Sequence, residues 1–305
     1  MELYKRYRPK NLGQMIGQDV AVNTLEAVIE KDNIPHFIMF TGPRGCGKTT
    51  LARIMRRKLK CSKYDFVETA PRKVEAVREI KSRINLAAIK GKRRVFLIDE
   101  CHKLTSDAQD EFLKMLEDGC PSHVYFLFTT TEPQKMKSTI KDRCTEIVVK
   151  PLNEKNLTKL IKYVCKEERV KISEEVIEKI VDNSNGSARK ALVFLDGVIN
   201  LKTKSEQLNA IVTVTAETQA IAIARALFNP KTKWLTMARI LKETEGEEAE
   251  QIRYMILGYA KTIILSGGKL SGRAYIVIGA FGDNFYESKW AGLAAAAYEV
   301  IVGTD

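Results

Sequence analysis

The sequence predicts an α/β protein: a parallel sheet with helices on both faces, followed by two wholly helical regions. Three observations predict it. Short aromatic and β-branched runs alternate with helix-period segments as far as residue 150. One strand passes through a glycine-rich loop directly into a helix, and past Pro151 the strand signal stops.

The elements follow in order. The apolar run at 36–40 is a strand, and "TGPRGCGKTT" turns it into a helix over 51–60. "YDFVET" (64–69), "RRVFLIDE" (93–100), "HVYFLFTTT" (123–131) and "TEIVVK" (145–150) are further strands. Helices are expected between them at 72–90, at 106–118 with Ser106 and Gln109 as a capping box, and at 133–141. Three short helices fill 153–201, one opening at Asn153, one capped by Ser173 with Glu174 and Glu175 in its first turn, and one starting near Gly186. From about 206 the pattern stays helical, with Asn-Pro and Gly-Gly breaks. Three domains are expected, at 1–151, 152–204 and 205–305.

Composition narrows the function classes. No window approaches 18 uninterrupted apolar residues, and "MELYKRYRPK" lacks the apolar core of a signal peptide, so a soluble cytoplasmic protein without membrane contact is expected. The six cysteines show no C-x-x-C spacing, which suits reduced structural thiols and no metal beyond one carried with a nucleotide. The net charge of +12 is uneven: residues 206–305 carry −1 and residues 1–205 carry +13. A basic surplus is often a solvated face, but confined to the region with the glycine loop it points to a polyanionic partner.

The run Gly42-Pro43-Arg44-Gly45-Cys46-Gly47-Lys48-Thr49 fits G-x-x-x-x-G-K-[ST], with Thr50 following in the helix. Backbone N–H groups turned inward at the glycines cradle phosphate oxygens, the helix dipole faces the same anion, and Lys48 adds a full charge. Thr49 supplies a hydroxyl to Mg²⁺. "VFLIDE" ends a buried strand in Asp99, suited to orient Mg²⁺ through its water shell, and Glu100, suited to polarise a water attacking a γ-phosphate. A strand that simply ends in surface acids is the alternative. Thr129-Thr130-Thr131 ends another strand at the same sheet edge, where a hydroxyl can reach the γ-phosphate or the water, although threonine is also simply a strand former. Arg143 precedes the last strand and Arg189 lies in the first turns of a helix; each is either a solvated residue or an anion ligand.

"YRP" (7–9), "GPRGCGKT", "LIDE", "TTTEPQK", "DRC" and "GSARKAL", in this order and spacing, resemble the clamp-loader branch of the AAA+ ATPases, in particular the gamma/tau subunits of bacterial DNA polymerase III or a phage counterpart. The resemblance covers about residues 4–200; beyond it only the helical character and position match. It implies a P-loop AAA+ sheet, a three-helix lid and an all-helical, collar-like C-terminal domain that serves oligomerisation. It further implies that Tyr7, Arg8, Pro9 and Ile16 line the adenine pocket, that Thr131 is a first sensor, and that Arg189 reaches from the lid to the phosphates of the same subunit's ATP. Arg143 becomes an arginine finger for a neighbouring subunit. The partners implied are a sliding clamp, other loader subunits in a five-membered spiral, and primer-template DNA; the activity is ATP hydrolysis stimulated by clamp and DNA.

Two departures stand out. The four-cysteine zinc module usual between the helix after the glycine loop and the second strand is missing, since Cys61 runs directly into "SKYDF". Asp142 replaces the usual serine before Arg143, adding a negative charge beside the finger. For the basic surplus, "APRKVEAVREIKSRI" is the candidate, with Arg72 and Lys73 at a helix start that in the resembling family faces DNA. A solvated helix face with Glu75 and Glu79 balancing its cations is the alternative. Two other functions remain open at this level: a non-hydrolysing structural subunit of the same spiral, and a different AAA+ DNA machine such as a branch-migration motor or replication initiator.

Overall fold

The computed structural model describes residues 2–31, 34–244 and 249–303, the side chains of 212, 214–218 and 244 apart. The chain divides into two units, Met1–Ile199 and Asn200–Asp305. In the first, the strands are β1 (Phe37–Thr41), β2 (Phe66–Thr69), β3 (Arg94–Ile98), β4 (Val124–Thr130) and β5 (Thr145–Val148). Its helices are α1 (Leu3–Arg6), α2 (Asp19–Glu30), α3 (Lys48–Lys58), α4 (Val74–Ile84), α5 (Ser106–Glu117) and α6 (Ser138–Lys141), then α7 (Glu154–Glu167), α8 (Glu174–Ser184) and α9 (Ala188–Val198). The five strands form one sheet in the order β2-β3-β4-β1-β5, every pair parallel.

Alternation along the strands builds two cores. Ile38, Phe40, Val95, Leu97 and Leu127 pack with Leu25 of α2 and Leu51, Ile54 and Met55 of α3. Their neighbours Met39, Phe96, Ile98, Phe126 and Phe128 face the other way, onto Val77 and Ile80 of α4 and Phe112 and Met115 of α5. Successive side chains on a strand point to opposite faces, so a sheet covered on both sides needs continuous apolar strands. β3 and β4 meet that need by being buried along their whole length. Phe126 is the centre of the second core, stacked on Phe96 at 5.1 Å and edge-on to Phe112 at 6.1 Å. Because every strand is parallel, the loops after β1, β3 and β4 open on one sheet edge, where ligands bind in such folds.

Three local expectations are corrected, the first being the helix at 133–141, which is a 3₁₀ turn, Pro133–Lys135, followed by the short α6. The expected helix at 72–90 stops at Ile84. The Asp65 carboxylate accepts hydrogen bonds from the backbone amides of Ile89 (2.5 Å), Lys90 (3.1 Å) and Gly91 (2.9 Å), and the Arg94 guanidinium donates to the carbonyls of Arg83 (2.7 Å) and Ala87 (2.9 Å). Those groups are thereby taken from a continuing helical ladder. Ser106 is the first helical residue of α5 and not its cap: Thr105 caps it, accepting from the Ala108 amide. The Gln109 amide reaches instead to the carbonyls of Leu104 and Lys135.

After β5 the strand pattern ends and α7, α8 and α9 form the small helical lid. Asn153 caps α7 through its side chain, as Ser187 does for α9. Ser173 stands at the N-cap of α8, with Glu174 and Glu175 in the first turn. In the second unit, α10 (Lys204–Leu227) opens on a complete Thr203–Glu206 capping box and is followed by α11 (Trp234–Thr244), α12 (Ala249–Leu265), α13 (Ser271–Ala280) and α14 (Lys289–Val302). Ile223, Leu227, Ile252, Ile256, Val277, Phe281, Leu293 and Val300 make its core. Within it Arg253 is buried, paired with Glu250 at 2.6 Å and donating to the Phe281 carbonyl at 3.0 Å, the pairing that a buried guanidinium requires.

Candidate functional site

The glycine loop takes left-handed backbone angles at Gly42, Gly45 and Gly47, and at the first two there is no room for a side chain. Gly42 has φ 136°, and a Cβ there would lie 2.0 Å from the Val149 carbonyl oxygen; Gly45 has φ 77°, and its Cβ would lie 2.0 Å from Ser187 Oγ. The loop is thus pressed between the end of β5 and the first turn of α9. Gln18, buried, fastens the same junction by donating to the Lys150 carbonyl (2.7 Å) and accepting from the Lys150 amide (3.2 Å). Lys48 opens α3 with its ammonium buried under the loop, donating to the carbonyls of Gly42 (2.7 Å) and Pro43 (2.6 Å). Burial pushes its pKa below the ordinary lysine range.

The carboxylates arrive from β3. Oδ1 of Asp99 accepts from the Thr49 hydroxyl at 3.2 Å and from that of Thr129, so one oxygen joins the start of α3 to the ends of β3 and β4. Glu100 has left-handed backbone angles, φ 51° and ψ 46°, and its amide donates to Thr129 Oγ1 at 3.2 Å. Its carboxylate is paired with Lys103, and that ammonium holds it below the usual carboxylate range.

These groups line one cleft of about 1070 Å³. Tyr7, Arg8, Pro9 and Ile16 form one side of it, Arg44 to Thr50 its floor, Asp99, Glu100 and Thr131 the sheet edge, and Arg189 the lid side. Tyr7 is anchored through its hydroxyl to Glu168 of the lid at 2.5 Å. Arg189 donates its backbone amide to the Gly45 carbonyl at 3.3 Å, and its guanidinium lies over the Tyr4 ring, 5.5 Å from the centroid. The cleft therefore gathers Tyr7, Arg8, Pro9, Ile16, Lys48, Thr49, Asp99, Glu100, Thr131 and Arg189, while Gly42 and Pro43 turn their carbonyls to Lys48.

Three expected residues lie elsewhere. Arg143, after α6, is half exposed and paired with Glu117 at the end of α5 at 2.8 Å, with a second bond to the Thr139 carbonyl. The acid that engages the finger candidate is Glu117, 26 residues away, and Asp142 makes no such pair among the described residues. Arg72 and Lys73 are exposed at the start of α4, where Lys73 is the N-cap. Arg83, further along, is paired with Glu79 one turn earlier.

Sequence reasoning did not single out several residues of the cleft. Thr129 is buried against Asp99; the signal was present in the threonine triplet, but strand propensity explains all three equally well. Tyr4 and Tyr163 line the cleft from α1 and α7, with Tyr163 edge-on to Tyr7 at 6.2 Å. Nothing in their spacing marks them.

Residues 65–153 match the family described as DNA polymerase III, delta subunit, and residues 159–197 match the RCF1/5-like AAA+ ATPase lid domain. The chain is similar to the DNA polymerase III subunit gamma/tau of Mycobacterium tuberculosis (30% identity, covering 65% of this chain and 39% of that protein). It is also similar to the gamma subunit of Buchnera aphidicola (31%, covering 68% and 65%) and to the tau subunit of Escherichia coli (27%, covering 74% and 39%). The chain thus spans less than two thirds of the length of these relatives. Among solved structures, the Thermotoga maritima RuvB Holliday junction branch migration motor superposes with a TM-score of 0.59 at 21% identity, covering 83% of this chain and 91% of that one, which establishes the shared AAA+ fold.

Proposed function

Proceeding from a chain of the gamma/tau-like AAA+ family, we propose that it is an ATPase subunit of a sliding-clamp loader, in which ATP binding drives clamp opening and a grip on primer-template DNA and hydrolysis releases the clamp. The observation that carries this reading is the convergence of Lys48, Thr49, Asp99, Glu100, Thr131 and Arg189 on one cleft.

The residues fit a nucleotide and its metal. Val149 and Ser187 leave no room for a Cβ at Gly42 and Gly45 and so fix the path of the loop, and a buried ammonium lies beneath it. Thr49 and Asp99, already 3.2 Å apart, would hold Mg²⁺, which when bound neutralises charge on the phosphate oxygens. Lys48 would exchange its two carbonyl partners for phosphate. Glu100, kept ionised by Lys103, is a hydrogen-bond acceptor able to orient a water, and Thr131 and Arg189 would fix the γ-phosphate from the sheet and the lid. Tyr7, Arg8, Pro9 and Ile16 would enclose the base. Arg143 would act on the site of a neighbouring subunit, since it lies outside the cleft of its own chain. The intact set of groups favours a hydrolysing subunit over a structural one.

Affinity of the assembled complex for primer-template DNA should rise with a non-hydrolysable ATP analogue, and DNA with clamp should stimulate hydrolysis in return, because linkage between two sites is reciprocal. Equal DNA affinity with and without nucleotide would reject the loader switch.

A further inference from the structure

His102 does not enter the phosphate chemistry above, yet it is buried beside it. It lies in the 3₁₀ turn Cys101–Lys103 that follows Glu100, with 8% of its surface exposed. Its Nδ1 is 3.2 Å from Thr130 Oγ1, and its Nε2 is 3.5 Å from a Glu132 carboxylate oxygen. Thr130 Oγ1 also accepts from the Glu132 amide at 3.0 Å. Nδ1 thus shares a hydrogen with the Thr130 hydroxyl, whose oxygen has a second lone pair for the Glu132 amide, and Nε2 faces the Glu132 carboxylate. One ring therefore grips the residues on both sides of Thr131 and ties them to the turn that carries Glu100.

We propose that His102 is a positioning residue for ATP hydrolysis: its imidazole clamps Thr130 and Glu132 to the turn after β3, and so fixes Thr131 relative to Glu100. The proposal rests on the reading of Glu100 and Thr131 as the groups that act at the γ-phosphate. The ring reaches neither the glycine loop nor the base-enclosing residues, so its loss should leave nucleotide binding alone. A displacement of about 1 Å between groups that must act together costs on the order of 10²-fold in rate, so the loss should fall on turnover.

The test uses the full chain in its assembled complex, measuring kcat and KM for ATP. His102→Ala should lower kcat by roughly ten- to a hundred-fold with KM changed less than about two-fold. His102→Asn, which keeps an amide near the Nδ1 position, should recover part of the loss. Thr130→Val, nearly isosteric and expected to fold, should reproduce the defect, and combining it with His102→Ala should add little, as for two residues of one unit. Glu100→Gln serves as the reference, with an expected loss on the order of 10². Stalled Glu100→Gln beside normal kcat in His102→Ala and Thr130→Val overturns the positioning role alone. Normal turnover in Glu100→Gln overturns the reading of the site and the proposal with it, and a rise in KM that accounts for the loss assigns His102 to nucleotide binding and overturns the proposal too.

Discussion

The cleft and the outlying arginine and lysine candidates differ in one physical respect. In the cleft, the central polar groups are buried or half-buried and bonded within the chain: Lys48 to two loop carbonyls, Asp99 to two threonines, Gln18 to the backbone of Lys150. Arg143, Arg72 and Lys73 stand in solvent or in an exposed ion pair, an arrangement worth little to the fold. The cleft is organised by its own chain, whereas the outlying cations are not, and the role proposed for them needs another molecule. Substitutions should therefore separate the two sets by where their effect is felt.

The largest effect is expected at Lys48. Lys48→Ala should abolish ATP binding and turnover even in the isolated chain, with the fold retained, and nucleotide affinity measured by titration checks it; unchanged affinity would break the comparison at its strongest point. Next, Arg143→Ala should leave nucleotide binding by the isolated chain intact and cut hydrolysis in the assembled complex by ~10³. Equal losses in isolated chain and complex would move Arg143 into the first set. Smaller still, neutralising Arg72 and Lys73 should flatten the dependence of DNA affinity on log salt by about one unit for each phosphate they neutralise, with little change in sequence preference. An unchanged slope would return the start of α4 to an ordinary solvated face.

The smallest effect sharpens the internal side of the comparison. Burial alone would raise the Asp65 pKa, but hydrogen bonds from Ser62 and the amides of Ile89, Lys90 and Gly91 outweigh it and bring it to about 2, below the unfolded value of 3.8. A carboxylate whose folded pKa is depressed stabilises the protein above its unfolded pKa and loses that contribution as pH falls toward the folded one. Thermal stability should therefore drop between about pH 4 and pH 2 in the wild type. In Asp65→Asn it should be lower at neutral pH and lack this component, as melting curves across that range will show.

The sheet, its helices and the cleft residues near the glycine loop were legible because each is written in a local run: a strand that ends in Asp99-Glu100, a loop that needs glycine, a cap at Asn153. What escaped is set by distant partners. The end of α4 depends on Asp65 and Arg94 competing for its backbone, the cap of α5 on a one-residue choice between Thr105 and Ser106, and the partner of Arg143 on Glu117 at the far end of another helix. Thr129 and His102 were hidden for a related reason: strand propensity and a short turn explain their identities equally well until β3 and β4 are placed side by side.

The left-handed backbone at Glu100 bears on how this protein can be engineered. A residue with a Cβ in that conformation costs about 1–2 kcal/mol, and glycine avoids the cost. A library ranked by melting temperature alone therefore favours Glu100→Gly, and each round of such ranking would enrich molecules that have lost the carboxylate. On the proposed role of Glu100, heat resistance and turnover would pull in opposite directions at this position, and a stabilisation campaign would hold residue 100 fixed and draw its gains from elsewhere in the chain.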